Sequence, residues 1–314
     1  VGSNPTLSAT DALMYKQVKH LIPLEWNHKR NNSTGILEDF STVVLRLEST
    51  NYCNFECTFC TYGEMERAKG FMPETFAYGV LKEASELGIK KLDLRFMGEP
   101  ILDKRLPKIA SKARQFGFNQ IYIHTNGYGL TPKLLNKWKS GGITEAIISI
   151  SPTREFSLTR PNKSATRFFK YIEELLKYSD DLDIVKFDYI RSGISTPQEE
   201  EEFFNLFKKY NALDKVNNIN LHNWGNGTTS KHFLCHRLWS SITVLWDGRI
   251  SLCCLDSDGE YILGDLNEES LTNIVNSELY VNIRKNHAQG KFLNKCVKCD
   301  FPAQKEAIWE SQIP

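Results

Sequence analysis

No run of the 314 residues is apolar and long enough to span a bilayer, and no secretory signal is visible. An excess of one charge is missing too, since 39 Lys and Arg stand against 38 Asp and Glu with no long basic block. Both absences exclude classes: neither a membrane nor a nucleic acid is an expected partner. Cysteine is scarce, and long tracts have none. The eight present fall into two groups, Cys53, Cys57 and Cys60 near the start and Cys235, Cys253, Cys254, Cys296 and Cys299 near the end. Cysteines that merely fill a core are expected singly along a chain, so this segregation argues for two metal sites rather than packing or disulfides. Thiolates of this kind need a reducing compartment, and the expected location is the cytoplasm.

The first group reads Tyr52-Cys53-Asn54-Phe55-Glu56-Cys57-Thr58-Phe59-Cys60, just after an apolar run. Structural zinc wants four ligands, yet no further Cys or His follows for dozens of residues; His28 lies well upstream and the next histidine is His124. Three thiolates are incomplete for zinc but suit an iron-sulfur cluster with one exchangeable iron. The Cys-x3-Cys-x2-Cys array, with an aromatic before its last cysteine, resembles the signature of the radical S-adenosylmethionine (radical SAM) superfamily. The resemblance implies that Cys53, Cys57 and Cys60 hold a 4Fe-4S cluster. Its fourth iron would chelate SAM, and reductive cleavage would give a 5′-deoxyadenosyl radical that removes a hydrogen atom from a substrate.

From Ser41 onward strand-like and helix-like segments alternate. Strands are expected at 42–47, 91–96, 120–124, 146–150 and 184–189, and helices at 73–87, 104–116, 132–139, 165–178 and 199–210. The pattern predicts an α/β fold with a parallel sheet covered by helices. Periodicity leaves open whether the sheet closes. The family resemblance implies a partial (β/α)6 barrel over 41–225, the cluster loop following its first strand. Residues 226–314 would form a small auxiliary domain and 1–40 an irregular lead-in. Val1 to Thr10 has no apolar periodicity, and its Gly-Ser-Asn-Pro is encodable by the T-arm of a transfer RNA gene. Translation is therefore expected to begin at Met14, with 1–13 an upstream gene-boundary artefact.

Ligands of parallel α/β proteins gather at the carboxyl ends of strands. After the second strand stands Met97-Gly98-Glu99-Pro100, which resembles the family's Gly-Gly-Glu element with Met97 in place of the first glycine. The resemblance implies that Gly98 and Glu99 meet the SAM amino group, a charge-assisted pairing. After the third strand, His124-Thr125-Asn126-Gly127 resembles the segment near the SAM ribose and methionine; Asn-Gly is also a common turn. Ser149 and Ser151 are placed to hydrogen-bond SAM, Arg160 and Arg191 to pair with its carboxylate or with substrate, and Phe59 to pack by the adenine.

Near the other end, 242–253 reads as a hairpin with its turn at Asp247-Gly248. The Gly248-x4-Cys253 spacing, then Gly264-Asp265-Leu266-Asn267, a helix near 269–276 and Cys296-x2-Cys299, resembles the SPASM/twitch extension of radical SAM enzymes. The implied auxiliary cluster, of the 4Fe-4S kind, takes Cys235, Cys253, Cys296 and Cys299. Cys254 is then surplus: a substitute ligand, a small buried residue, or a hydrogen-atom donor to a substrate radical. Two full clusters need more cysteines, so the shorter twitch type is expected.

The implied activity is hydrogen abstraction from a small polar substrate, sugar-like or cyclitol-like, ending in dehydrogenation or epimerisation, with an electron donor such as flavodoxin or ferredoxin. Modification of a ribosomal peptide is one alternative. A non-catalytic iron-sulfur or zinc scaffold is another, but it would not need polar groups at successive strand ends. Tyr62, His124, Tyr189, Arg191, Trp224 and Asp256 are candidate substrate residues, each with an equally plain structural reading.

Overall fold

The computed structural model describes residues 34–178, 181–223 and 234–300. The expected start at Met14 and Trp224 lie outside the described residues.

Six strands run parallel: β1 (Val44–Leu47), β2 (Lys91–Asp93), β3 (Gln120–Thr125), β4 (Glu145–Ile150), β5 (Val185–Arg191) and β6 (Val216–Asn220). Each pairs with its sequence neighbour, so the connections must cross over, and helices supply the crossovers. They are α1 (Glu74–Glu86), α2 (Leu106–Gln115), α3 (Pro132–Ser140), α4 (Thr153–Thr159), α5 (Ala165–Tyr178) and α6 (Pro197–Lys209). Helix α4 had no signal in the sequence pattern. Its seven residues are too few to display a periodic face.

The chain then passes through a short helix, α7 (Arg237–Ser240), into β7 (Ser241–Val244), β8 (Arg249–Ser251) and β9 (Ile262–Asp265). The β7–β8 hairpin turns at Asp247-Gly248 as expected, and Gly248 takes a φ of +97°, where a side chain would be strained. Strand β7 lies parallel to β1, giving one nine-stranded sheet in the order β6-β5-β4-β3-β2-β1-β7-β8-β9. Strand β6 does not pair with β1, so the six-stranded unit is a partial barrel. The sheet runs on through the boundary expected at 225/226. Helices α8 (Leu271–Val275), α9 (Glu278–Ala288) and α10 (Asn294–Lys298) complete the described chain. Part of the lead-in is fastened to them, with Leu37 N donating to Asn276 Oδ1 at 2.8 Å and Asn276 Nδ2 to Leu37 O at 3.0 Å.

Alternate residues of a strand face opposite sides. On one side Leu45, Leu47, Leu92, Ile121, Ile123, Ile148, Ile150 and Phe187 are buried in the core, each contributing about 2 kcal/mol. On the other, register places Thr243, Arg46, Asp93 and Tyr122 in one row across β7, β1, β2 and β3, with His124, Ser149 and Asp188 further along. A parallel sheet with both faces packed reads as continuous apolar runs. This one alternates apolar with charged, so its second face lines a site.

Candidate active site

The loop after β1 brings the first thiol group to the carboxyl end of the sheet. Cys53 N donates to the Tyr62 hydroxyl at 2.9 Å, Cys53 Sγ accepts from Phe55 N at 3.4 Å, and Cys60 N donates to Cys57 O at 3.0 Å. Asn51 ties the loop to the following segment, through Nδ2 to Ala68 O and Oδ1 from Gly70 N. The three cysteines are free thiols. Burial pushes Cys53 up to about 12 and Cys60 to about 11, with the neighbouring thiols of the loop adding to the rise. Cys57 is raised by burial as well, although Arg160 pulls the other way. Among the described residues no three Cys, His, Asp or Glu side chains close to single-ion distance. The thiols are neighbours in field rather than a closed knot. Half-buried thiols that resist ionisation are the donor set a cluster needs, because iron supplies the positive charge that lets each shed its proton.

The Met97-Gly98-Glu99-Pro100 element packs directly under this loop. A Cβ at Gly98 would overlap the Thr50 carbonyl, so glycine is required, and Glu99 N donates to Tyr52 O at 2.8 Å. The Glu99 carboxyl is buried. Its Oε1 accepts from Thr125 Oγ1 and from Ile101 N, and its Oε2 from Asn126 N at 2.7 Å. Burial raises it to about 7 despite those bonds. One lone pair of Oε2 remains for a further donor. Asn126 donates through Nδ2 to Asn54 Oδ1 at 2.7 Å, joining the β3 loop to the cysteine loop. Its own Oδ1 accepts from Tyr128 N, the Asn-Gly turn.

On the far side of the loop, Arg160 is 2% exposed, donates through Nη1 to Ser151 Oγ at 2.6 Å, and lies 5.2 Å over the Phe59 ring. Burial lowers it, with the Cys57 and Glu155 charges in opposition. Phe59, Ser151, Arg160 and Cys57 thus form one neighbourhood, and Gly98, Glu99, Thr125 and Asn126 another, both around the first thiol group.

The thiols of the second group lie in one another's fields. Cys253 is raised by burial and lies in the fields of Cys254, Cys235 and Cys296, and Cys296, raised to about 12 by burial, in those of Cys235 and Cys299. Cys235 N is fixed by His287 Nε2 at 2.9 Å. Cys254 lies beside them, in the fields of both Cys253 and Cys235. It also lies in the fields of Arg237, Arg46 and Arg95, which outweigh burial and hold it below the ordinary thiol range. Cys254 thus stands between the second thiol group and the arginines of the polar face.

That polar face holds residues the sequence reading passed over: Arg46, Asp93, Arg95, Tyr122 and Arg237. Arg46 and Arg95 both donate to Asp93. His124 joins this group, with Nδ1 at 4.0 Å from Asp188 Oδ2, and strand parity separates it from Thr125. Burial and Arg95 push it well below the ordinary range, so the imidazole is neutral. A period-two run of charged residues in predicted parallel strands was the available signal.

Other expected site residues are not brought here. Arg191 shares the parity of Phe187 and Tyr189 rather than of Asp188, and is an exposed partner of Glu200 at 3.2 Å. Arg191, expected to pair with the SAM carboxylate or with substrate, is paired with α6 in this structure. Tyr189 donates to the same Glu200, at 2.6 Å. Asp256 is fully buried, accepting from Ser251 Oγ, Glu260 N and Tyr261 N to shape the turn after Cys254. Tyr62 braces the cysteine loop.

Fold and thiols together define an iron-sulfur protein built on an open α/β barrel. Models of the radical SAM superfamily and of an iron-sulfur cluster-binding domain, SPASM, match residues 47–190 and 235–300. The chain belongs to the radical SAM superfamily and carries a C-terminal SPASM domain. With these domains go a 4Fe-4S cluster, SAM and an auxiliary iron-sulfur cluster. A probable GTP 3′,8-cyclase of Sulfolobus acidocaldarius is 30% identical over 213 residues, covering 67% of this chain and 64% of that protein's length. Among solved structures, BtrN in complex with AdoMet and 2-DOIA superposes with a TM-score of 0.57 at 18% identity, over 84% of this chain and 94% of that one. Streptococcus suis SuiB bound to SAM gives 0.61 at 12% identity, over 88% and 72%. At these identities the two structures establish the fold. No helix of the described residues is long and apolar enough to cross a membrane.

Proposed function

We infer that this chain is a radical SAM enzyme that abstracts a hydrogen atom from a small polar substrate bound against the inner face of its partial barrel. The observation that carries this is that the first thiol group lies in the loop after β1, the strand whose Arg46 stands in one charged row with Asp93 and Tyr122. In this reading Cys53, Cys57 and Cys60 hold the SAM-binding cluster, and Cys235, Cys253, Cys296 and Cys299 the auxiliary one. Bound there, the cluster and SAM supply a 5′-deoxyadenosyl radical as hydrogen acceptor.

The protein's own part is positioning. The remaining lone pair of Glu99 Oε2 accepts from the SAM ammonium, while Gly98 lets the loops approach closely enough for it. Arg160, anchored by Ser151, takes the SAM carboxylate, and Phe59 packs by the adenine. Thr125 and Asn126 fix the Glu99 carboxyl, and Ser149 lies nearer the substrate. An electron donor of the flavodoxin or ferredoxin type delivers the reducing equivalent. The outcome would be dehydrogenation if the substrate radical then gives an electron to the auxiliary cluster and a proton to solvent, or epimerisation if the Cys254 thiol returns a hydrogen atom and the thiyl radical left behind takes an electron from the donor and a proton.

Iron, sulfide and dithionite-dependent 5′-deoxyadenosine on anaerobically prepared protein test the reading. About eight irons with SAM cleavage are expected. Cys53→Ala should lose about half the iron and all cleavage, and Cys296→Ala should keep cleavage while losing product. Zinc in place of iron would overturn the assignment. Solvent deuterium in the product, lost in Cys254→Ala, separates epimerisation from dehydrogenation.

A further inference from the structure

We propose that a basic, aromatic surface over the first thiol loop, built on Lys163, Arg167, Tyr128 and Tyr171, docks a small acidic electron-carrier protein of the flavodoxin type. This rests on the radical reading above and names the face through which its electron donor acts.

The loop 53–60 reaches the surface, with Glu56 and Thr58 exposed. Phe55 stands within it, its N–H donating to Cys53 Sγ at 3.4 Å and its ring 5.5 Å from that of Tyr128. Tyr128 in turn lies 5.7 Å from Tyr171 of α5. Two cations cover this run of rings. Lys163 Nζ is 5.4 Å from the centre of Phe55 and 5.9 Å from that of Tyr128, and the Arg167 guanidinium is 5.8 Å from Tyr128 and 5.9 Å from Tyr171. Arg167 Nε also donates to the Tyr171 hydroxyl at 3.1 Å. A side chain already held over a ring has less freedom to lose when a partner binds it. Backbone bonds fix the segment to the loop: Thr58 N donates to Thr159 O at 2.9 Å, and Lys163 N to Arg160 O at 3.3 Å.

Elsewhere on this molecule exposed cations are paired, as Lys82 with Glu86, Lys139 with Asp183 and Lys209 with Glu173. Lys163 and Arg167 have no carboxylate partner among the described residues. Of the carboxylates in these segments, Glu155 is buried and accepts from Ser192 and Ser195, and Glu173 is taken by Lys209. Glu56 and Glu174 pair with neither cation. Both cations also lie at the amino end of α5, whose dipole adds to the positive field. A face with two uncompensated cations set on aromatic rings is complementary to a protein that presents carboxylates around an apolar centre. Two cations are too few to hold a nucleic-acid strand. Such a pairing speeds encounter while the complex stays weak. That suits a carrier that docks, passes one electron to the cluster held by Cys53, Cys57 and Cys60, and leaves. Its flavin goes from hydroquinone to semiquinone, and the proton released goes to solvent.

Anaerobic calorimetric titration of the reconstituted holoprotein with flavodoxin tests this. A Kd of about 10 μM is expected at low salt, weakening as salt rises. Lys163→Glu and Arg167→Glu should each weaken it about tenfold at unchanged iron content, with Lys163→Gln and Arg167→Gln as milder versions that spare the fold. Lys177→Glu makes the same charge change at the other end of α5, about 15 Å from Arg167, and should leave binding as it is. Flavodoxin-driven release of 5′-deoxyadenosine should fall with affinity, while dithionite, which needs no docking, drives all variants equally. Absence of binding, equal affinity in the Lys163 and Arg167 variants, or equal weakening by Lys177→Glu overturns the surface. An oligonucleotide binding as tightly as flavodoxin overturns the choice of partner. SAM cleavage with dithionite but no flavodoxin binding defeats this inference alone; binding lost in Lys163→Glu, without SAM cleavage, keeps the surface and defeats the radical reading.

Discussion

Glu99 carries three hydrogen bonds in a place nearly closed to water, and its folded value of about 7 stands above the ordinary 4.5. Between those values the folded chain binds more protons than the unfolded one. Stability from this group is therefore full below about pH 4.5 and falls as pH rises toward 7, by about 3 kcal/mol. His124, His222 and His287, all lowered by burial, titrate in the opposite sense, so a comparison must cancel them. Urea unfolding of cofactor-free wild type and Glu99→Gln, at about pH 4.5 and about pH 7, does so. The wild type is expected to lose about 3 kcal/mol relative to the variant across that interval; a difference independent of pH contradicts the assignment. The position of Glu99 after the second strand was legible in the sequence. Its burial was not, because Thr125 and Asn126 reach it from another strand.

At the scale of elements, strand parity decides which side chains meet. Arg191 and Asp188 stand in the same strand, yet one faces Glu200 of α6 and the other the polar face. Helix α6 was expected from its acidic start, and the capping signal sits just before it. Thr196 Oγ1 accepts from Glu199 N at 3.3 Å while Glu199 Oε2 accepts from Thr196 N at 2.8 Å, a capping box. Thr196→Ala should cost about 1 kcal/mol in chemical unfolding, leaving iron content unchanged. Because α6 holds β5 through Tyr189 and Arg191, larger damage would mean that this end of the sheet depends on the cap.

Across the whole molecule, one buried ion pair links the two halves. Glu48 follows β1 and accepts from Arg67 Nη1 at 2.7 Å, from Met97 N at 3.3 Å and from Trp246 N at 3.1 Å. Arg67 continues to Ser257 O at 2.6 Å, and Asp258 Oδ1 accepts from Glu66 N at 2.8 Å. The segment after the first thiol group is so fastened to the turn after the second. With side chains 4% and 0% exposed, Arg67→Met leaves Glu48 charged and unpaired, and should lower unfolding free energy by about 3–5 kcal/mol. Denaturation of the reconstituted protein measures it, and a loss below about 1 kcal/mol, the level of an exposed pair, would refute the linkage.

Two thiol groups, alternating strands and helices, the Asp247-Gly248 hairpin and the Gly98-Glu99 and Asn126-Gly127 elements all followed from the sequence. Each rests on spacing or turn chemistry within a few residues, which the chain encodes locally. Tertiary structure alone decided that β7 joins β1, that Cys254 lies between the second thiol group and the arginines of the polar face, and that Arg46, Asp93, Arg95 and Arg237 share one field. Those outcomes depend on which face of each strand turns inward and on pairings between distant segments. Side-chain direction reverses at every residue of a strand, so only the assembled sheet fixes which charges share a face.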